Sequence, residues 1–527
     1  MAIELSNLTF TEQDDIVPQS GVEKILNTGL ANTLAGNDII IGTSEIIAGF
    51  PFPDSFSSIF NSGTLNTADG NDIIMGAPNQ TENSSFTRSW GIYNEKGSID
   101  TGDGDDIING ESLGDKSGIV NNLGSINTGN GSDIITATVD SRTNGFSSGF
   151  FNAGNFNTGD DNDIITGITP RGSGISSAGI INTGDGNDTI TGTSTRDGEG
   201  IYLFGEAGSL DSGKGSDIIT GIGRNRGISV LSSSFNTGDG NDIITGSSSR
   251  DFGISNNGFM DTGDGNDIIT GNNIGGADGS LHISGAGLWN GGYSDEYGYI
   301  DTGDGNDTIT GISNAREGKG LVNQNIINTG NGNDIITGTG TSEGISNRVT
   351  INTGNGDDSI ISKGKFLNTG NVFLGNGNDL VFANTNLANH AIENLDTIET
   401  GEGNDIIISS GVIYNGGAII TGDGNDSIIA NEGFESAPNS SGAWFLEEGD
   451  DYIKGFGGGD FYGGNDEDTL ELTPGTYTVG IWGEGGESVI FTKGNQLMIT
   501  SEFEKLIAGN TLYDFTSLTA GQIITVA

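Results

Sequence analysis

The residues of this 527-residue chain best suited to chemistry are aspartates, which recur in variants of one phrase, NTGDGNDIITG. The anchoring residues are Asp38, Asp72, Asp106, Asp133, Asp163, Asp188, Asp217, Asp242, Asp267, Asp307, Asp334, Asp358, Asp379, Asp405, Asp426 and Asp451, spaced 21 to 40 residues apart. A turn such as Gly102-Asp103-Gly104-Asp105-Asp106 offers only oxygen, from peptide carbonyls and carboxylates. Oxygen-only sites suit hard cations, and flexible multi-oxygen shells favour Ca2+ over octahedral Mg2+. Two residues before the anchor, 15 of 16 copies have Gly, with Asp161 the exception; four before it, 13 of 16 have Gly. Such pairs include Gly102 and Gly104, Gly184 and Gly186, Gly238 and Gly240, Gly263 and Gly265, and Gly303 and Gly305. They permit backbone shapes closed to other residues, so that carbonyls can turn toward one point. A solvated acidic turn that uses Asp-Gly only for its geometry explains the glycines but not an Asp in every copy.

A unit repeated at this spacing means a solenoid or an array. Two residues after the anchor the column is Ile in 15 copies and Val381 in the other. Seven before the anchor it is apolar throughout, from Ala31 to Trp444. A third apolar element lies upstream, at Gly91-Ile92, Gly118-Ile119, Gly174-Ile175, Gly227-Ile228, Gly253-Ile254 and Gly344-Ile345. Three short β runs punctuated by Gly, Asn and Ser make one coil of an all-β, parallel β-solenoid. The expected layout is a small N-terminal cap over 1–30, repeats over 31–472 and a C-terminal β cap over 473–527, whose alternating TYTVGIWGEGGESVIFTKGNQLMIT reads as hairpins. Parallel coils about 4.8 Å apart bring like carboxylates into register, where they repel. A Ca2+ between successive coils turns that repulsion into a bridge.

Composition narrows the function. Lys+Arg number 19 against 71 Asp+Glu, a net charge of −52, so nucleic acid and anionic membranes are poor partners. With no Cys there are no disulfides, thiolate nucleophiles or Cys-ligated metals. The opening MAIELSNLTFTEQDD lacks a basic n-region and an apolar run, so no N-terminal signal peptide is expected, and no apolar run is long enough for a transmembrane segment. His282 and His390 fall in no HExxH or paired-ligand spacing, and no GxSxG, Walker or kinase signature occurs.

The phrase resembles the glycine- and aspartate-rich nonapeptide GGxGxDxUx of RTX (haemolysin-type calcium-binding) proteins. Gly102, Gly104, Asp106 and Ile108 stand at its second Gly, third Gly, Asp and apolar positions. The resemblance covers roughly 38–470. It departs in having Thr101 at the first Gly and one motif per coil instead of motifs back to back. Gly463-Gly464-Asn465-Asp466-Glu467-Asp468 comes closer to the family form and adds Asp468 to the candidate ligands. The resemblance implies multiple Ca2+ ions, export by type I secretion machinery and an uncleaved secretion signal in the tail FTSLTAGQIITVA.

The residue just after each anchor is Ile in ten copies, although strand alternation should point it outward. Either a bulge turns both residues inward, or an apolar stripe runs along the coils as a lateral contact surface. The expected function is a secreted, non-enzymatic calcium-binding structural protein of the cell surface or extracellular matrix: a surface-layer, sheath, fibril or adhesion component. It would fold on binding calcium, with itself and cell-surface polysaccharide as partners. The alternatives are a secreted calcium buffer and a carbohydrate-active β-helix enzyme of lyase or epimerase type. The place to look for an enzyme is 275–299, with His282, Trp289, Tyr293, Asp295, Glu296 and Tyr297.

Overall fold

The computed structural model describes residues 2–18, 23–44, 57–78, 89–140, 146–275, 285–291, 298–385, 390–436, 442–483 and 488–527. They are built almost wholly of short strands and form two compact units: Met1–Gly279 with Tyr297–Tyr299, and Ser280–Glu296 with Ile300–Ala527. Each unit is a stack of three-stranded coils, and, apart from the strands near the C-terminus, their strands pair in parallel with their equivalents one coil on. In one coil of the first unit, Ser98–Asp100 enters the glycine turn, Ile107–Leu113 leaves it and Ile119–Asn122 forms the back strand. Their partners are in register, Ile99 with Ile126, Ile108 with Ile135 and Ile119 with Phe150. Ile99, Ile108 and Ile119 are fully buried, so each coil contributes one apolar residue per strand to a continuous core. A single coil cannot bury that face alone; stacking supplies the missing neighbours. This architecture is a parallel β-solenoid.

Two corners close each coil. Between the strand after the turn and the back strand the chain doubles back tightly, and Gly110 lies against Gly118. A Cβ on Gly118 would come 2.5 Å from the Gly110 carbonyl oxygen and 2.6 Å from the Thr138 amide nitrogen of the next coil. That is why Gly precedes Ile in the third apolar element. Gly118→Ala is expected to destabilise the first unit by about 1–3 kcal/mol, the usual range for overpacking, read as a lowered thermal midpoint.

The other corner carries buried asparagines stacked into a ladder. Asn27 donates to Asn61 at 2.8 Å, Asn61 to Asn94 at 2.7 Å, and Asn94 to Asn121 and Asn121 to Asn152 at 2.9 Å. In the second unit the same ladder runs through Asn290, Asn323, Asn347, Asn368, Asn394 and Asn415. From Asn61 on, each amide also reaches a main-chain carbonyl, as Asn94 does at Ser125 (3.0 Å), so these buried amide groups have partners where an unpaired one would be costly.

At the N-terminus Ala2–Glu4 pairs in parallel with Lys24–Asn27, and Ile16–Val17 with Ile39–Ser44. Toward the C-terminus, stacking continues past Leu472: Gly459–Tyr462 pairs in parallel with Gln496–Ser501, and Thr469–Leu472 with Lys505–Ala508. The expected hairpins are present, with Gly475–Trp482 antiparallel to Ser488–Lys493 and Ser488–Lys493 antiparallel to Gln496–Ser501. The tail ends in the strand Ile523–Val526, antiparallel to Gly475–Trp482. Among the described residues no helix is long and apolar enough to cross a membrane.

The strand after the turn settles where the residue following each anchor points. Ile134, Ile164, Ile218, Ile243 and Ile268 are 39–44% exposed, while Ile135, Ile165, Ile219, Ile244 and Ile269 are buried. Alternation is regular; no bulge turns both inward.

Candidate metal-binding column

The glycine turn places each anchor one residue before its strand, with the side chain directed into the coil. Gly102 and Gly104 adopt φ of 84° and 148°. A Cβ on Gly104 would run into the Gly70 carbonyl oxygen of the previous coil. Positive φ and close backbone stacking together explain the paired glycine columns. Asp161 keeps the fold of the turn at φ 87° despite its side chain.

All seventeen anchors from Asp38 to Asp468 are at most 1% exposed. Within each unit they are tied by one repeated bond, in which an anchor's amide donates to Oδ1 of the anchor one coil on: Asp72 to Asp106 at 2.7 Å, Asp106 to Asp133 at 2.8 Å, Asp358 to Asp379 at 2.7 Å and Asp405 to Asp426 at 2.7 Å. Residues outside the repeat cap the first and last anchors, one through its amide and one through its carboxylate. Asp15 donates its amide to Asp38 Oδ1 at 2.8 Å, and Glu504 Oε2 accepts from the Asp468 amide at 2.8 Å.

The second oxygen is different. Oδ2 is buried without a hydrogen-bond partner at Asp38, Asp72, Asp106, Asp163, Asp188, Asp217 and Asp242. The same holds at Asp334, Asp358, Asp379, Asp405, Asp426, Asp451 and Asp468. Beside it, five residues before the anchor, lies a buried Thr or Ser. The Thr67 hydroxyl partly offsets the upward shift of Asp72 but is directed to the Thr101 carbonyl oxygen of the next coil at 3.3 Å. Thr101 points likewise to Thr128 and Thr329 to Thr353, at 3.3 and 3.2 Å. At Asp133 alone among these anchors, the Thr128 hydroxyl reaches Oδ2 itself. An orphaned carboxylate oxygen, a hydroxyl and a carbonyl from the next coil thus converge at most levels.

Burial, more than any neighbour, pushes these carboxyls up. Asp106, Asp163 and Asp451 rise to about 8, Asp188, Asp358, Asp379, Asp426 and Asp468 to about 7, and Asp72, Asp133 and Asp242 to about 6. Asp38, Asp217, Asp334 and Asp405 also lie above the ordinary range through burial. This corrects the sequence-based expectation that repulsion between carboxylates on an edge dominates. The column is interior; main-chain amides and the neighbouring hydroxyls favour the ionised form and lower the pKa values, and desolvation outweighs both. Buried carboxylates with an unpaired oxygen need a proton or a cation. The donor set is all oxygen, and no cluster of three or more His, Cys, Asp or Glu side chains arranged for a metal occurs among the described residues. The residues present therefore fit a hard cation held by one carboxylate, a hydroxyl and carbonyls.

Position −5 loses its hydroxyl at three anchors: Leu374 serves Asp379, Leu446 serves Asp451 and Gly463 serves Asp468. This hydroxyl, the end-capping Asp15 and Glu504 and the asparagine ladder escaped sequence reasoning. A signal for the ladder was present, since Asn recurs 11 or 12 residues before many anchors, as Asn61, Asn94 and Asn121 do.

Two further ladders lie outside on the same turn. Asn71 donates its amide to Asn37 Oδ1 at 2.8 Å and Asn187 to Asn162 at 2.7 Å, while Asn130 donates to Asp103 and Asn331 to Asp304 at 3.1 and 3.2 Å. They are exposed, so the flanking acids Asp103 and Asp105 face solvent, apart from the buried column.

Of the residues considered for other chemistry, His390 stacks on Tyr414, with ring centroids 4.9 Å apart, and meets Glu435 at 2.8 Å. Trp289 lies in the strand Ala286–Asn290, its Nε1 bonded to the Gly291 carbonyl at 2.8 Å. His282, Tyr293, Asp295, Glu296 and Tyr297 lie outside the described residues.

No family model matches the chain, and no curated protein matches it. Among solved structures, a hyperactive, Ca2+-dependent, β-helical antifreeze protein from an Antarctic bacterium is matched over 84% of each chain, at 16% identity and a TM-score of 0.19. So distant a likeness carries no argument about this chain, whose fold rests on its own strand pairing.

Proposed function

We propose that this chain is a calcium-binding structural protein of the cell surface or extracellular matrix, exported by type I secretion machinery and folded by the calcium it meets outside. One observation carries the proposal: a buried column of carboxylates, most with an oxygen that no hydrogen bond serves. A cation between successive levels would satisfy Oδ2, the residue −5 oxygen and the carbonyl of the next coil together. Counter-charge is scarce in the chain, since only 19 Lys+Arg stand against 71 Asp+Glu. Cell-surface polysaccharide is the external partner this role suggests.

The test is direct. Calcium binding is measured by equilibrium dialysis alongside β-sheet circular dichroism. Many ions per chain, taken up as ellipticity grows, support the proposal; one or two ions, or none, refute it. Asp242→Asn separates a ligand role from a geometric one. Asn keeps an oxygen for the Asp217 amide, which donates to Asp242 at 2.8 Å, but carries no charge. In calcium the variant is expected to lose about 1–3 kcal/mol and bind fewer ions. In calcium-free buffer at neutral pH it should be no less stable than the parent, because it needs no counter-ion.

A further inference from the structure

We propose that the chain pairs with a second copy of itself through the outward face of the strands that follow the glycine turns, with the turns of one copy set against the opposite corner of the other. The proposal rests on the structural role proposed above and names the partner.

The face belongs to the first unit, over the nine coils anchored from Asp38 to Asp267. Each coil contributes the outward residues at positions +1, +3 and +5 from its anchor, in register with those of the next coil, as Ile218, Thr220 and Ile222 are with Ile243, Thr245 and Ser247. In a chain of net charge −52, the only charged residue among these outward positions is Glu111. Two copies can therefore approach here without the repulsion that their summed charge imposes elsewhere. Nine coils at about 4.8 Å by three outward residues at about 6.6 Å give a flat patch on the order of 850 Å². A standard stable interface needs about 800 Å² per partner, so the patch is large enough.

Its borders supply the orientation. Along the turn edge run exposed acids, among them Asp103, Asp185 and Asp239. Along the opposite corner Arg171, Arg196, Arg224 and Arg250 stand among Asp140, Asp197, Glu199 and Asp251, so that corner is near neutral where the turn edge is acidic. A twofold axis parallel to the coil stack lays the acidic edge of each copy over the near-neutral corner of the other, twice by symmetry. A twofold axis across the stack would instead lay acid on acid. Such borders fix partner orientation more than they add affinity.

The test measures solution mass by sedimentation, with calcium present and circular dichroism recorded on the same samples. The parent is expected to be dimeric or larger at micromolar concentration. Ile218→Lys with Ile243→Lys places charge at the centre of the face and should leave a single chain of unchanged ellipticity, weakening association at least 100-fold. Should that variant misfold, Ile218→Thr with Ile243→Thr keeps β propensity and should weaken association at least 10-fold. Arg196→Glu with Arg250→Glu should also weaken it, whereas Glu206→Lys, placed away from the face, should not. A parent that stays monomeric when folded, or that binds polysaccharide through this face as a monomer, overturns the proposal. So does a folded face variant that associates like the parent. Association that survives with no calcium bound would sink the calcium-dependent role while leaving the pairing intact, so the two failures are distinguishable.

Discussion

Stripped of calcium at neutral pH, the protein is expected to lose most of its β-sheet circular dichroism and to recover it when calcium is returned. Each coil buries an aspartate at no more than 1% exposure, and at most levels one oxygen has no donor. Ionising such a group without a counter-ion carries a desolvation penalty that its remaining hydrogen bonds do not offset. The penalty recurs at every level, and each coil relies on its neighbours for its core. Loss of the cation at several levels should therefore propagate along the stack instead of fraying one end. Binding free energy becomes folding free energy when the site exists only in the folded state. Titrating calcium back while following ellipticity and protease resistance should give a cooperative transition, shifted to higher calcium by Asp242→Asn. Full ellipticity and full protease resistance in calcium-free buffer at neutral pH would show that the column is satisfied without a cation.

Much of this was legible in the residues because a repeat writes each structural requirement many times over. The Gly at −2 and −4, the Ile at +2 and the apolar column at −7 each map to one feature: a positive-φ turn with close stacking and two buried strand positions. The Gly before Ile119 was visible as a pattern, but its reason was not, since its contact partner Thr138 lies in the following coil. What stayed hidden depends on three-dimensional neighbours. Whether Asp106 faces solvent or core decides if repulsion or desolvation governs it, and the turn sequence is compatible with either. The end caps were hidden for a related reason. Glu504 occupies the place of an anchor one coil beyond Asp468, yet no glycine turn precedes it, so only stacking reveals its role. The asparagine ladder shows the opposite failure, a periodic signal passed over because Asn is common in turns. Its break at Ser177, Leu203 and Val230, which pair in turn with one another, shows that the corner tolerates apolar residues when neighbours change together.

Protons and calcium should act on the same column with opposite pH signatures. In the folded, calcium-free chain Asp106 and Asp163 are pushed up to about 8 and Asp188, Asp358 and Asp426 to about 7, against an ordinary value of 3.8 when unfolded. Between those limits the folded state binds more protons than the unfolded one. The protonated column is stable below the unfolded value, and that stability is lost as pH rises through the folded values. Each carboxyl protonated when folded and ionised when unfolded contributes a slope of about 1.4 kcal/mol per pH unit. Calcium-free protein, prepared on a chelating resin, should thus regain ellipticity and resist denaturant better as pH falls from about 8 toward about 5. With calcium in excess the trend should reverse, because the ion must displace those protons and binds more tightly as pH rises. Denaturation midpoints measured across this range, with and without calcium, should therefore cross. Parallel curves, or a calcium-free form that weakens on acidification, would mean that the buried aspartates are not where protons and cations compete.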